Sequence, residues 1–356
     1  MVKRIDTLDY LRGTLALCIL SYHYTLWTGR TPDLTQPLTR IGVYGVAVFY
    51  ILSGLTHFMI YKDKVTLQPK SLYNFAVKRF FRIMPMLWVV ILAMLIIKSD
   101  KHYDLRTIFL NVTSLFGFID RANYIAVGSW SIGNEMVYYS LFPFMVWLVN
   151  QNRKLFIPLL LLNLGWCMYT SFYILTDDKT LADQWVLYIN PFTNLIFFTG
   201  GMYISTLTSL QEKINPWVLR GTAILLILLF FFIPLSGNQI HFVYGIYRLV
   251  FVMIALLLCA VLFLDDFQLP NPLHKILKYL SSCSYSIYLL HPVFFLLFAR
   301  INQDMRLHLS IYWILGVAFV FTIPTSYFTM KYIELQGAKI GQWILGEQKE
   351  KQKGKE

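Results

Sequence analysis

Long apolar runs separated by short polar segments make up most of the chain. The pattern predicts ten membrane-spanning helices, each near the ~20 residues a bilayer requires, over residues 8–28, 41–61, 83–98, 130–150, 155–175, 185–207, 217–235, 243–264, 283–301 and 309–331. An outer-membrane barrel would show short alternating segments, whereas these runs are continuous, so an all-α, polytopic helix bundle is predicted. The more polar segment 105–119 is expected to lie at the membrane interface or to re-enter the membrane.

Composition and charge support a membrane protein. The chain has 356 residues, 57% hydrophobic and 14% charged, against about 25% charged in soluble domains. A net charge of +12 can indicate a nucleic-acid partner. Here, with the N-terminus in the cytoplasm, about two thirds of the 31 Lys and Arg residues fall on the cytoplasmic side. We therefore predict a multi-pass protein of the cell (inner or plasma) membrane with both termini cytoplasmic, and no nucleic-acid partner.

No linker divides the chain, so one membrane domain is predicted over 1–335, followed by a basic, polar cytoplasmic tail at 336–356 that is disordered at its end. The four cysteines lie in or at the edge of apolar runs, with a spacing that suits neither a metal site nor a disulfide framework. We predict that they are core residues and that the protein has no metal site. The pattern leaves the oligomeric state open, including a homo-oligomer.

The first apolar run carries Arg12 and His23. They are eleven positions apart, which is three helical turns plus about 20°, so they share one face at a separation of ~16 Å. Asp9 lies three residues before Arg12 on the same face, a spacing that allows the two to pair. Ionisable groups in a membrane helix are functional candidates by default. The alternative is that Arg12 snorkels to the surface and His23 is a hydrogen-bonded packing residue.

The second and third predicted spans add further candidates. In FYILSGLTHFMIY (49–61), Ser53 and Gly54 allow close helix approach, which is favoured over a nucleophilic role for Ser53. Arg79 and Arg82 share a helix face where the chain enters the third span. They indicate either an ordinary cytoplasmic anchor or a phosphate clamp, because paired guanidinium groups suit phosphate oxygens.

Two later spans also hold polar groups. Glu135 lies one turn inside the fourth span at a depth like that of His23, and His23, an arginine or an aqueous cavity are alternative partners for it. Trp130 is expected in the interfacial aromatic belt. The ninth span carries a polar stripe that either joins helices or belongs to a site, formed by Ser284, Tyr288 and His291.

Together these motifs resemble the acyltransferase-3 family of polytopic membrane acyltransferases, over residues 5 to 334. The family's Arg-x10-His is matched by Arg12 and His23, its Phe-rich Ser-Gly segment by Phe49 to Gly54, and its Arg-x-x-Arg by Arg79 and Arg82. Its Trp-Ser-x-x-x-Glu element is matched by Trp130, Ser131 and Glu135, and its Ser-Tyr-x-x-Tyr-x-x-His stripe by Ser284 to His291. Where members often end the last span with Glu-x-Pro, this chain has Glu334, Leu335 and Gln336.

The resemblance implies transfer of an acyl group, usually acetyl, from cytoplasmic acyl-CoA to a hydroxyl of a bacterial cell-envelope glycan, such as an exopolysaccharide, O-antigen or lipid-linked sugar. His23 would be the general base and Glu135 would orient it or stabilise its imidazolium. An acyl-histidine intermediate and a larger acyl group are alternatives. Arg12, Arg79 and Arg82 would hold the CoA phosphates. The expected supporting residues are Asp9, Ser53, Trp130, Ser131, Tyr288 and His291.

Three other classes remain open at this stage. A transporter or flippase for a glycan or lipid-linked substrate would also use buried Arg, His and Glu side chains, and would predict inverted repeats. A non-catalytic membrane protein would use its polar stripes only to join helices. Another class of membrane acyltransferase with a histidine deep in a central span fits less well, because the marked histidine here lies in the first span.

Overall fold

The computed structural model describes residues 4–211 and 213–347, and within these ranges the regular structure is entirely helical, as predicted. The α-helices are α1 (Asp6–Trp27), α2 (Pro37–Tyr61), α3 (Pro69–Ile97), α4 (Leu105–Val112), α5 (Phe116–Ile119), α6 (Trp130–Gln151), α7 (Phe156–Tyr169), α8 (Trp185–Tyr188), α9 (Pro191–Ile204), α10 (Pro216–Phe232), α11 (Gly245–Leu264), α12 (Asn271–Ser282), α13 (Ser284–Asp304), α14 (Ile311–Thr329) and α15 (Leu335–Ile344). A π-helical turn, Met330–Glu334, joins α14 to α15.

Six helical segments in the described part of the chain are long and apolar enough to cross a membrane: Pro37–Tyr61, Pro69–Ile97, Arg153–Ile174, Gly245–Leu264, Ser284–Asp304 and Ile311–Ile344. All ten predicted spans contain helix, but the number ten is not confirmed. The predicted span 185–207 is divided into α8 and α9. The helix over 216–232 is apolar but shorter than the other candidates.

The chain forms two compact units, and each is built from two separate stretches of sequence. The first unit comprises Met1–Lys64 and Leu148–Ser281, and the second comprises Val65–Trp147 and Ser282–Glu356. Neither unit corresponds to a continuous half of the chain.

In the first unit, α2 is the central helix and packs against α1, α9 and α11. Two glycines allow α2 and α9 to approach closely. A Cβ on Gly54 would overlap the Phe198 carbonyl, and a Cβ on Gly201 would overlap the Ile51 carbonyl. Gly54 therefore serves the helix packing predicted for it, with a matching glycine, Gly201, on the partner helix.

Arg40 stabilises the end of α10 in this unit. Its side chain is buried, and the guanidinium donates to the carbonyls of Leu34 at 2.6 Å, Phe230 at 3.0 Å, Ile233 at 2.9 Å and Leu235 at 3.1 Å. The last carbonyls of a helix have no partner within the helix. Arg40 supplies a partner for the carbonyls of Phe230 and Ile233, at the point where α10 ends at Phe232.

In the second unit, α3 packs against α13 and α15, and α13 packs against α14. Gly337 permits close contact of α15 with α3, because a Cβ there would meet the Phe81 carbonyl and the ring of Pro85. The predicted boundary between domain and tail, at 335/336, thus lies at the start of a helix packed on α3. The end of the predicted tail, residues 348–356, lies outside the described residues.

The segment 105–119 folds as two short helices, α4 and α5, rather than one span. The helices are separated at Ser114, a buried residue whose φ of 60° is in the left-handed region. The Trp88 indole donates to the Val112 carbonyl at 2.8 Å and attaches α4 to α3. All four cysteines are free thiols, and three of them are buried, as predicted for core residues.

Candidate functional site

In the first unit, α1 carries Arg12 and His23 on one unbroken helix of 22 residues, so the predicted spacing along a single face holds. Both side chains are half-buried. The His23 ring hydrogen-bonds to the Ile19 carbonyl one turn earlier. It also stacks on Trp27, with ring centroids 5.7 Å apart and planes 24° apart.

The Ile19 contact determines the tautomer of His23. A carbonyl oxygen only accepts, so the ring nitrogen that faces Ile19 must carry a hydrogen. In a neutral imidazole the other ring nitrogen then holds the lone pair. When the imidazole is neutral, the helix backbone therefore fixes the tautomer and leaves the lone pair of a general base on the other ring nitrogen.

Asp9 has partners other than the expected Arg12. Its carboxylate accepts from Arg4, from Lys278 at 2.7 Å and from Ser281 at 3.0 Å. The latter two residues lie on α12, which reaches α1 because a side chain larger than glycine at position 13 would overlap the backbone of α12. The spacing on α1 allowed Asp9 to pair with Arg12, but the partners that the structure gives its carboxylate are Arg4, Lys278 and Ser281.

Lys278 also donates to Asp6 at the start of α1. Burial raises the pKa of Asp6, but hydrogen bonds from Lys278 and Gln268 outweigh it, so the pKa lies below its ordinary value. For Lys278, burial lowers the pKa, and the bonds to Asp6 and Asp9 raise it above its ordinary value. Charge pairs thus attach α1 to α12 at the base of the helix that carries His23.

The Ser53 hydroxyl lies 3.5 Å from Nδ1 of His57, but the two do not form a nucleophile and base. The same Nδ1 lies 2.7 Å from the Ser53 carbonyl, and because a carbonyl only accepts, Nδ1 must be the donor. A protonated nitrogen cannot remove the hydroxyl proton of Ser53. This geometry supports the packing role predicted for Ser53.

In the second unit, Arg82 of the Arg-x-x-Arg motif forms an ion pair with Glu334, through Nη1. The Glu334 side chain is fully buried, whereas that of Arg82 is 37% exposed. Ser286 donates to the same carboxylate, and Thr329 donates to the Ser286 hydroxyl at 2.9 Å. Glu334, the residue that matches the Glu of the Glu-x-Pro ending, is thus a buried carboxylate that pairs with an arginine of the Arg-x-x-Arg motif.

The Trp-Ser element and the late polar stripe meet within this unit. The Tyr288 hydroxyl donates to the Gly128 carbonyl at 2.8 Å, and Oγ of Ser131 lies 3.0 Å from the Tyr288 hydroxyl. Gly128 adopts a φ of 83°, which favours glycine. Trp130 is buried, at 8% exposure, and its place in an interfacial aromatic belt stays a prediction.

Glu135 follows Ser131 by one helical turn and is half-buried. Its carboxylate, the Glu334 carboxylate and the Arg82 guanidinium all act electrostatically on the Tyr285 phenol. The Tyr285 hydroxyl donates to the Ile83 carbonyl at 3.0 Å and so joins α13 to α3. The second unit thus gathers two carboxylates and an arginine around one tyrosine.

His291 of the polar stripe is buried, and its Nδ1 lies 3.1 Å from the Ile287 carbonyl. As with His23, the donated hydrogen orients the ring from its own helix.

Among the predicted site residues of this unit, the structure brings Ser131 into contact with Tyr288. It pairs Arg82 with Glu334, and Arg79 lies one turn before Arg82 on α3.

Sequence reasoning missed Arg248, a fully buried arginine in the apolar helix α11 of the first unit. Its guanidinium donates to Asn194 at 2.9 Å and to the Cys167 sulfur at 3.4 Å, and lies over the ring of Phe197 at 5.1 Å. The signal was present, because the rule that selects ionisable residues inside apolar helices selects Arg248 as well.

The predicted site residues are divided between the units. Asp9, Arg12, His23 and Ser53 belong to the first, and the second holds Arg79, Arg82, Trp130, Ser131, Glu135, Tyr288 and His291. A model of an acyltransferase domain, the acyltransferase-3 family, matches residues 5–331. The chain belongs to the acyltransferase-3 family. No curated protein and no solved structure matched it.

The residues that match the family model include every predicted site residue and end at residue 331, three residues before Glu334. Combined with the six helices able to span a membrane, it indicates a multi-pass membrane acyltransferase. The polar arrangements described above are thus those of an enzyme that transfers acyl groups.

Proposed function

We propose that this protein is a membrane O-acyltransferase that moves an acetyl group from cytoplasmic acetyl-CoA to a hydroxyl of a bacterial cell-envelope glycan, with both of its own termini in the cytoplasm. The proposal rests on one observation above all. Within a chain of the acyltransferase-3 family, α1 presents an oriented histidine and an arginine on one helix face, ~16 Å apart.

The arginines would bind the charged end of acetyl-CoA. Guanidinium groups hold phosphate oxygens in bidentate fashion, and Arg79 and Arg82 share one face of α3. The Glu334 contact of Arg82 involves only Nη1, so its other donors are available to a phosphate. Arg12, on the face of α1 that carries His23, is the third arginine that we propose as a phosphate ligand.

His23 would act as the base at the reacting end. Its lone-pair nitrogen takes the proton of the acceptor hydroxyl while that oxygen attacks the thioester carbonyl carbon. The tetrahedral intermediate then collapses, the C–S bond breaks, and the CoA thiolate takes the proton from the imidazolium. The products are the O-acetyl ester and CoA-SH, and His23 is again neutral. Glu135 would orient His23 or stabilise the imidazolium.

The test measures transfer of labelled acetyl groups and release of CoA-SH in membranes containing the full chain. His23→Gln keeps a polar side chain but lacks a titratable nitrogen, so kcat should fall by about 10²-fold or more. His241→Ala removes a histidine outside this helix face and serves as the matched control. Normal transfer by a well-expressed His23→Gln would refute the assignment of the base.

The arginines make a different prediction. Arg79→Gln should raise the KM for acetyl-CoA with little change in kcat, because phosphate contacts bind the ground state and the transition state alike. Lys70→Gln, an exposed residue on the same helix, is the matched control. A loss of kcat at unchanged KM would contradict phosphate binding by Arg79.

A double-mutant cycle tests the role of Glu135. If Glu135 acts through His23, the His23→Gln and Glu135→Gln variants and their combination should have similar residual rates, because residues that act as a unit are not additive. Additive losses would show that the two side chains act independently. Glycan movement that consumes no acetyl-CoA would instead favour a flippase.

A further inference from the structure

The second unit contains a cleft of about 580 Å³ that the mechanism above does not use. It lies between the end of α3, the start of α4 and the loop at 122–127, and six of its lining residues are Lys98, Lys101, His102, Tyr103, Asn123 and Tyr124. The charge distribution of the sequence predicts that this region, residues 99–129, is outside the cytoplasm.

A buried amide holds the walls of the cleft in place. Nδ2 of Asn111 donates to the carbonyls of Thr107 at 2.9 Å and Asn123 at 2.8 Å, while its Oδ1 accepts from the Ile125 amide at 2.8 Å. Asn111 is 1% exposed. All its hydrogen-bonding groups thus fix the loop against α4, so the cleft is formed before any ligand arrives.

Two lysines lie together at one rim of the cleft. The Lys101 amide donates to the Lys98 carbonyl at 2.9 Å, so a tight turn keeps both residues at this rim. Within residues 4–211 and 213–347, neither ammonium group has a hydrogen-bond or ion-pair partner. The neighbouring carboxylates have other roles: Asp100 lies 3.9 Å from Arg300, Asp104 caps α4, and Asp120 lies 3.8 Å from Arg106.

The environment of Lys98 favours an anion. Burial and then repulsion from Lys101 lower the pKa of Lys98, although Asp100 partly opposes the shift. An anionic group placed beside the two ammonium groups would offset the free-energy cost of burying the Lys98 charge and would counter the repulsion between the two lysines. Tyr103 and Tyr124 add half-buried rings and hydroxyls, which suit the apolar faces and hydroxyl groups of a sugar.

Along the chain, the loop that lines the cleft leads into the polar group of the same unit. Val127 lines it, and the next residue, Gly128, accepts from the Tyr288 hydroxyl at 2.8 Å. Ser131 contacts the same tyrosine, and Glu135 lies one turn further along α6. A ligand in the cleft is therefore held by the segment that leads into a proposed catalytic carboxylate.

From this geometry we infer that the cleft binds the acyl acceptor, and that the acceptor is an anionic saccharide whose carboxylate or phosphate lies between Lys98 and Lys101. The inference rests on the proposed function, which supplies a glycan as acceptor, and it narrows that acceptor to a charged class. The lysines select the anionic group, and the tyrosines and Asn123 contact the sugar rings.

Binding to the purified full chain, without acetyl-CoA, tests the ligand class. The probes are a tetrasaccharide that contains glucuronic acid, its carboxyl-reduced neutral counterpart, and a phosphorylated mannose oligosaccharide with its dephosphorylated form. We expect the wild type to bind an anionic probe about tenfold more tightly than its neutral counterpart, since hydrogen bonds to charged groups contribute on this scale. Lys98→Gln with Lys101→Gln should abolish the difference, and Lys70→Gln should preserve it.

Three results would overturn the inference. The first is equal binding of every anionic probe and its neutral counterpart. The second is unchanged discrimination in the double lysine variant. The third is competition by nanodiscs containing phosphatidylglycerol, but not phosphatidylcholine, which would assign the lysines to a lipid headgroup.

Transfer assays keep this inference separate from the proposed function. Selective binding without any acetyl transfer would refute the proposed function and leave the ligand class of the cleft standing. Transfer that is equally efficient to a neutral and an anionic acceptor would support the enzyme and overturn the acceptor assignment.

Discussion

The pairing of Arg82 with Glu334 allows a test that separates an effect on folding stability from an effect on substrate binding. Replacing Arg82 by Met removes the cation that faces a fully buried carboxylate. Breaking a buried ion pair at one partner costs about 3–5 kcal/mol. Because the Arg82 side chain is 37% exposed and Ser286 still donates to Glu334, we expect the lower end, about 3 kcal/mol.

The expected rescue distinguishes a charge effect from a packing effect. Adding Glu334→Gln to Arg82→Met leaves a neutral amide that still accepts from Ser286, so most of the lost stability should return. The measurement is the thermal unfolding midpoint, in one detergent, of the wild type, Arg82→Met, Glu334→Gln and the double variant. If the double variant loses as much as the two single variants together, Arg82 and Glu334 are not energetically coupled and the reasoning is wrong.

The rescued variant then isolates the role of Arg82 in binding. Its folding resembles that of the wild type, but it lacks the guanidinium proposed to contact a CoA phosphate. A raised KM for acetyl-CoA in this variant would therefore report binding and not misfolding. An unchanged KM would assign Arg82 to the structure and leave Arg12 and Arg79 as the phosphate ligands.

Three further predictions follow from the packing and charges of the first unit. Arg40→Ala should lower stability by roughly 3 kcal/mol or more, measured by thermal unfolding, because it leaves four carbonyls without donors; an unchanged midpoint would contradict the capping role. Gly201→Ala should cost about 1–3 kcal/mol through overlap with the facing backbone, whereas Gly221→Ala, with open space around it, should be neutral or stabilising. Because the pKa of Asp6 lies below 3.8, its pairing with Lys278 stabilises the fold above that pH and is lost as the pH falls through the folded-state pKa. Asp6→Asn should therefore flatten the acid side of the unfolding profile, and an unaltered profile would contradict this.

The all-helical class could be predicted from the sequence, because a backbone that crosses a bilayer can satisfy its hydrogen bonds in only a few kinds of structure. Continuous apolar runs require helices whose hydrogen bonds are internal, and every predicted span does contain helix. The position of Arg12 and His23 on one face is likewise local, since it depends only on the 3.6-residue repeat of a single unbroken helix.

The partners of the polar residues could not be predicted in this way. Asp9 has a basic residue at the favourable spacing on its own helix, yet it pairs with Lys278, 269 positions away. The choice depends on a close approach of α1 and α12 at Gly13, which no local pattern reports. The partner of Glu334 could not be predicted either, because Arg82 reaches it only where α3 packs against the π-helical turn that follows α14.

Arginines in apolar helices illustrate why residue type alone does not assign function. Arg40 donates to four carbonyls, Arg248 donates to a side-chain amide oxygen and lies over an aromatic ring, and Arg82 pairs with a carboxylate. A phosphate ligand must present donors that the substrate can reach. Arg40 is 4% exposed and Arg248 only 1%, so neither can meet this requirement in the described conformation, whereas the exposed part of Arg82 can. The exposure of each guanidinium, which depends on helix packing, separates the structural arginines from those whose donors a phosphate can reach.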